Sequence, residues 1–290
     1  QRVELEARIL RQRLAVAGEV RAAWWDWMAA TAVRTALQAR VAAAAALERD
    51  TARQVAAGNL ATVDGLVATA SLREAQAALR EQELALQRAT IAFRTLTGLS
   101  PTAGPTEQPA TSADLDPRTT AARATIDYGR AAERLAQLRT RANPEIGLQL
   151  RQERDSFSQP WGSRAALLVT IPLSYSGAQR ERIAEARAQV AAGNAGLATL
   201  ERVLPTGVER AREAQASATA RANLADARHG ALSEQVRLVE AAWRAGQTPL
   251  IELVRARSQL AESDAARRLA RAQAGRAVSA LNQALGVEPQ

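Results

Sequence analysis

The sequence contains no cysteine. Disulfides, thiolate metal sites and cysteine nucleophiles are therefore excluded. Lysine is absent too, so all 38 basic residues are arginine. His229 is the single histidine, set between Arg228 and Gly230 on a polar helical stretch. One imidazole without cysteine makes an ordinary zinc site only if several carboxylates join it, so it reads as a surface or interface histidine. Aromatic residues make up 3% of the chain, few for a bulky globular core. No run of about 18 apolar residues occurs, so no membrane-spanning helix is predicted. The longest apolar stretch, Val41 to Leu47, is mostly alanine. No signal peptide is visible, because Gln1 to Glu6 already reads as helix. Gly-rich phosphate loops, nucleophile elbows and metal-binding helix motifs are also missing. Enzymatic chemistry has little support, and no cofactor or metal is predicted.

What is present is alanine, arginine and helical spacing. The 290 residues suffice for one large or two ordinary domains. Ala-rich composition with sustained helical periodicity favours long, closely packed helices. The net charge is +8, but 30 acidic residues are interleaved with the arginines, as in Arg180-Glu181-Arg182 and Glu209-Arg210-Ala211-Arg212-Glu213. Such interleaving describes solvated helix faces. There is no basic tail and no aromatic-basic motif, so no nucleic-acid partner is predicted.

One stretch occurs twice. Ala245-Gly246-Gln247-Thr248-Pro249-Leu250-Ile251-Glu252-Leu253 has an earlier copy in Ala57-Gly58-Asn59-Leu60-Ala61-Thr62-Val63-Asp64-Gly65. The same offset carries Leu72 onto Leu260, Glu74 onto Glu262, Gly98 onto Gly286 and Pro101 onto Pro289. A constant register over that length argues for duplication. Leu232, Val236, Val239 and Trp243 form one helical stripe before the second copy, and Leu250, Leu253, Val254 and Leu260 resume it afterwards. Gly246 between them can take positive φ as a helix stop. Thr248 is expected to cap the next helix, with Pro249 in its first position. Asn59 is the expected cap in the first copy. Each copy is thus a helical hairpin with a very short turn.

Along the chain, residues 1–57 read as one helix with Ile9, Leu10, Leu14, Val16, Val20, Leu37 and Val41 as its main apolar positions. Trp24, Trp25 and Trp27 cannot all face one side, so at least one must meet another helix or subunit or stand exposed. Leu72, Leu79, Leu86 and Phe93 repeat every seven residues, a coiled-coil seam. Prolines at 101, 105, 109 and 117 mark residues 99–117 as a loop or linker. Helix resumes over about 118–141. After Asn143-Pro144, the alternation of Ile146, Leu148 and Leu150 predicts a strand. A polar loop with Pro160 and Trp161 follows. Leu167, Val169, Ile171 and Leu173 then predict a second strand from Ser163 to about Ser174. Tyr175-Ser176-Gly177 ends it. A further helix starts near Ala178 and is expected to break or kink at Pro205. The last helix covers about 249–285.

Lengths connect these parts. The run from Gly177 to Gly246 and the return through 58–98 and 117–143 are each about 100 Å if helical at about 1.5 Å per residue. The strand pair and the two turns are therefore expected at opposite ends of a rod. Strands of about 9–11 residues are what a tilted membrane barrel requires.

In this combination the sequence resembles the TolC-type outer-membrane efflux factors. The resemblance rests on the duplicated turn (Gly58 to Ala68, Gly246 to Ala256), the strand entry Asn143-Pro144-Glu145-Ile146, and the exit Ile171-Pro172-Leu173 before a glycine and a helix. The strand pair and its Arg-Gln-Glu-Arg-Asp segment look most like the heavy-metal, CzcC-like branch. The resemblance implies a mainly α protomer of two long antiparallel helical hairpins with an outer-membrane β-hairpin. Residues 1–98 would form the first hairpin repeat, 99–117 an equatorial linker and 118–143 the helix returning to the membrane. Residues 144–177 would form the strand pair and 178–290 the second repeat. Three protomers would form a hollow cylinder, each giving four strands to a barrel of twelve.

Further implications concern partners and sites. The turns would meet a periplasmic adaptor that couples the duct to an inner-membrane pump of the RND type. Gly58, Asn59, Gly246, Gln247, Thr248 and Pro249 would be the adaptor-contacting residues. Asp64 and Glu252 match acidic residues that line or latch the closed end in relatives. Arg255 and Thr248 depart from that pattern, the first replacing an acid and the second a base. The expected function is a trimeric duct in the outer membrane with a periplasmic extension, exporting small solutes from periplasm or cytoplasm, with heavy-metal cations as one candidate cargo. The alternatives are a soluble antiparallel coiled-coil scaffold and a duct for type I protein secretion. By the repeat, a second strand pair should precede Gln1. The expectation is therefore an N-terminally incomplete chain, since a barrel lacking half its strands leaves edges that lipid does not tolerate.

Overall fold

A computed structural model describes residues 2–111, 116–138, 144–153, 161–171 and 176–288. The elements run α1 (Arg2–Ala56), α2 (Thr62–Thr97), α3 (Pro117–Leu138), β1 (Glu145–Glu153), β2 (Gly162–Thr170), α4 (Ser176–Arg244) and α5 (Leu250–Ala284). The fold is mainly α, with one β-hairpin. Residues 139–143, Pro160 and Pro172 to Tyr175 lie outside the described residues, as does the expected extension of β2 to Ser174.

The chain divides into two units, Gln1–Arg8 with Arg118–Glu201, and Ile9–Pro117 with Arg202–Gln290. In the first, α3 packs against the opening part of α4 through small residues. A side-chain carbon added at Gly129 would stand 2.9 Å from Val190 Cγ2, and one at Gly193 would stand 2.8 Å from Ile126 Cγ1. Larger residues at either position would push the helices apart. Glu133 and Arg187 add an ion pair at 2.7 Å across the same contact. Beyond α3, β1 and β2 pair antiparallel, with Glu145 opposite Thr170 and Glu153 opposite Gly162.

The second unit holds α1 from Ile9, α2, α5 and the later part of α4. The expected seam on α2 faces inward: Leu72, Leu79 and Leu86 are half-buried and Phe93 is buried. The seam of α1 differs from expectation. Ile9, Leu10 and Val16 are exposed, whereas Leu14, Trp25, Ala36 and Leu47 are buried. Those four recur every eleven residues, or about 3.67 per turn, which keeps one face of a helix turned inward over many turns. Alanine and tryptophan hold two of the four places, so apolar counting alone passes over them.

Buried positions also match across the repeat. Ala68 and Ala256, Ala75 and Ser263, and Phe93 and Leu281 are equivalent pairs, and every member is buried. α2 and α5 touch each other.

The linker is fastened by polar groups. Arg21, only 8% exposed, donates to Glu107 Oε1 at 2.8 Å, Gln283 Oε1 at 2.7 Å and the Val287 carbonyl at 3.0 Å. Asn282 donates to the Gln108 carbonyl at 2.9 Å and accepts from the Ala110 N–H at 2.9 Å. The buried guanidinium thus has both a counter-charge and hydrogen-bond partners, as burial demands. The tryptophan cluster divides its contacts. Trp25 Nε1 donates to Ser279 Oγ at 2.8 Å, and Trp24 Nε1 donates to the Thr102 carbonyl at 3.0 Å. Their rings meet edge to face, and Trp27 is half-buried.

Of the expected break or kink at Pro205, the break does not occur: α4 continues through it. Proline removes one N–H and crowds the carbonyl four residues earlier, that of Glu201; the hydrogen bonds on either side carry the helix through.

Candidate functional sites at the helical turns and the hairpin

The two turns are built alike. In the first, the Gly58 N–H donates to the Val55 carbonyl at 3.0 Å and the Asn59 N–H to Gln54 at 2.9 Å. In the second, Gly246 donates to Trp243 at 2.9 Å and Gln247 to Ala242 at 2.9 Å. This nested pair of bonds is the Schellman stop, which needs a left-handed residue at its centre. Gly58 supplies φ +76° and Gly246 φ +72°. Nothing lies within 4 Å of where a side chain would begin at either glycine. Both turns therefore present bare backbone to solvent.

The caps differ from expectation. Ala61 and Pro249 are the N-caps, with φ/ψ of −71°/150° and −69°/154° and no side-chain cap bond. Asn59 and Thr248 do not cap, and Pro249 precedes the first helical residue. The extended backbone an N-cap needs is close to proline's own preference. The two caps are repeat equivalents, so the geometry is set by the stop and not by cap chemistry. Asn59, Gln247 and Pro249 are exposed and Thr248 is half-buried.

Asp64 and Glu252 occupy equivalent places in the first turns of α2 and α5, where the helix dipole favours an anion. Glu252 is paired with Arg255 at 2.8 Å. The acid and the arginine thus neutralise each other on one helix. Glu240 links back across the second hairpin to Arg257 at 3.1 Å. Beneath the turns, Leu47 of α1 packs with Leu250 and Leu253 of α5, against Val239, Trp243 and Val254. That cluster holds the two hairpins side by side at their turns, so the glycines belong to one end of the second unit. His229 lies on α4, with Nδ1 buried and without a hydrogen-bond partner. Among the described residues, no three His, Asp or Glu side chains converge as a metal site.

The hairpin has two distinct faces. Register places Ile146 opposite Val169, Leu148 opposite Leu167 and Leu150 opposite Ala165 on one face. Gly147, Gln149 and Arg151 meet Leu168, Ala166 and Arg164 on the other. The expected apolar face is present and uncovered: Ile146 and Leu150 are 75% exposed, Leu148 71% and Leu167 69%. Trp161, just before β2, is also exposed. No described helix is long and apolar enough to cross a membrane, which leaves a β-barrel open.

No protein-family model matches the sequence, and a comparison with curated proteins finds no match. Solved structures do match. A membrane protein from Pseudomonas aeruginosa superposes with TM-score 0.72 at 17% identity, over 99% of this chain and 70% of that one. The CmeC outer membrane channel of Campylobacter jejuni gives TM-score 0.70 at 13% identity, over 98% and 65%. The outer membrane protein VceC of Vibrio cholerae gives 0.70 at 16%, over 98% and 73%. The chain has the fold of outer-membrane channels. The shared fold spans both helical repeats and the hairpin. At these identities it carries no information about side chains at the turns, and no CzcC-like branch is singled out.

Proposed function

We propose that this chain forms part of an outer-membrane duct of a tripartite efflux system, with no chemistry of its own. One observation carries the reading. A β-hairpin with one uncovered face that is apolar except for Gln152 and Ser163 at its far end belongs to the same chain as two equivalent helical turns that expose bare glycine backbone. A soluble scaffold would leave Ile146, Leu148, Leu150, Leu167 and Val169 in water, whereas lipid gives that face a solvent and Trp161 an interfacial place. A single hairpin has unpaired edges, so the strands must close into a barrel with others. Assembly as a homotrimer supplies those partners.

At the other functional element, Gly58 and Gly246 offer backbone to the helices of a periplasmic adaptor, flanked by Asn59, Gln247, Thr248 and Pro249. The adaptor in turn joins an inner-membrane pump. The Glu252–Arg255 pair and Asp64 are then charges at the duct's inner end. Small solutes pass along the water-filled bore when the turns splay outward.

The test combines location and contact. The full-length protein should fractionate with the outer membrane as a trimer, and cysteines introduced at positions 58 and 246 should cross-link to an adaptor hairpin. Recovery as a soluble monomer with no such cross-link sinks the reading.

A further inference from the structure

The hairpin carries a pair of like charges that neither its folding nor its lipid face explains. Arg151 on β1 stands directly opposite Arg164 on β2. Directly opposed like charges in an antiparallel pair are destabilising. Arg151 is relieved by an ion pair with Glu153 on the same face. Arg164 has no ion-pair partner among the described residues. That end of the face therefore carries two cations against one anion. The segment joining the strands adds one charge of each sign, Arg154 and Asp155, and leaves the excess unchanged.

Placement follows from register and connectivity. The arginines alternate with the apolar row and so share the face turned away from lipid. They share it with Gly147, Gln149, Glu153, Gly162, Ala166 and Leu168; the residues next to the pair on β2, Gly162 and Ala166, are short. They also lie toward the end of the hairpin remote from α3 and α4, because Glu145 and Thr170 are the helix-proximal ends of the strands.

We propose that Arg151 and Arg164 form a positively charged collar inside the outer end of the duct, which selects anionic solutes over cationic ones. The proposal rests on the duct reading above and names the charge class of what passes. Repetition of the hairpin around a closed barrel turns one excess cation per copy into a ring. Rings of arginine or lysine are what anion-passing pores use. A local potential of only about one kT enriches anions over cations by roughly sevenfold. A free metal cation is disfavoured at this point.

The experiment is ion selectivity of the full-length protein in planar bilayers under a potassium chloride gradient. Chloride should permeate better than potassium. The preference should weaken as salt rises from 0.1 M to 1 M, since the screening length falls from about 10 Å to about 3 Å. Replacing both residues, Arg151→Gln with Arg164→Gln, should lower the chloride-to-potassium ratio several-fold. Arg151→Lys with Arg164→Lys should leave the ratio where it was. A cation preference in the unaltered protein, or a ratio untouched by the glutamine pair, overturns the collar while the duct stands. Absence of any conductance from correctly inserted, unaltered protein, both alone and with its adaptor bound, overturns the duct itself. Should the glutamine pair fail to insert, the sign and salt dependence in the unaltered protein decide.

Discussion

Individual residues carry sharply different burdens here. Gly58 and Gly246 hold left-handed φ values with open space around them, so an alanine meets backbone strain and no clash. Gly246→Ala should destabilise the second turn by about 1–2 kcal/mol, read as faster amide exchange at residues 243–247 with the rest of α4 unchanged. Gly275 is the opposite case. A side-chain carbon there would lie 2.0 Å from Trp25 Cη2, and the indole is buried and hydrogen-bonded. Gly275→Ala should cost about 1–3 kcal/mol through overpacking and should alter Trp25 fluorescence, which Gly246→Ala should not do. Burial pushes the Asp264 carboxyl up, but hydrogen bonds from Arg267 and Arg268 outweigh it and hold the group below its ordinary 3.8. A depressed carboxylate contributes stability above its unfolded value, and that stability is lost as pH falls through the folded one. Asp264→Asn should therefore flatten the acid side of the stability curve below about pH 4 and lower stability at neutral pH, as denaturant midpoints across pH would reveal.

At the level of elements, the helices are held mainly by how closely their backbones approach. Alanine is the commonest buried residue, and few large apolar groups are fully buried. The exceptions gather beneath the turns. Leu253 is 0% exposed within the cluster that joins α1 to α4 and α5. Leu253→Ala should cost about 2–5 kcal/mol, measured by chemical denaturation, and should loosen both hairpins near their turns because Leu47 loses its partner. The β-hairpin follows different physics. Its apolar face has no protein cover, so two strands alone are not a stable structure in water. On the proposed duct reading, its persistence depends on neighbouring strands and lipid. If the proposed duct reading holds, replacing Leu148 with arginine should abolish membrane insertion while leaving the helical circular dichroism of the second unit intact.

On the scale of the whole molecule, duplication is the organising fact. Equivalent glycines at 58 and 246 and at 98 and 286 share positive φ, and equivalent small residues share burial. What was legible in the sequence was local: the stops, because only glycine accepts the left-handed turn cheaply; the strands, because period two has no helical reading; and the repeat, because register is preserved by identity of spacing. Cap residues were misplaced at Asn59 and Thr248 because side-chain preference was weighed where backbone conformation decides.

The sequence by itself determined the element types, their order and the places where the chain reverses, since each follows from the conformational limits of a few adjacent residues. Only tertiary structure decided which faces meet. The eleven-residue line through Leu14, Trp25, Ala36 and Leu47 is hidden because alanine matters only once a neighbouring helix arrives. The fastening of Arg21 to Glu107 and Gln283 joins residues far apart in the chain. The opposition of Arg151 and Arg164 depends on strand register, which shifts every side chain's partner with a slip of one residue.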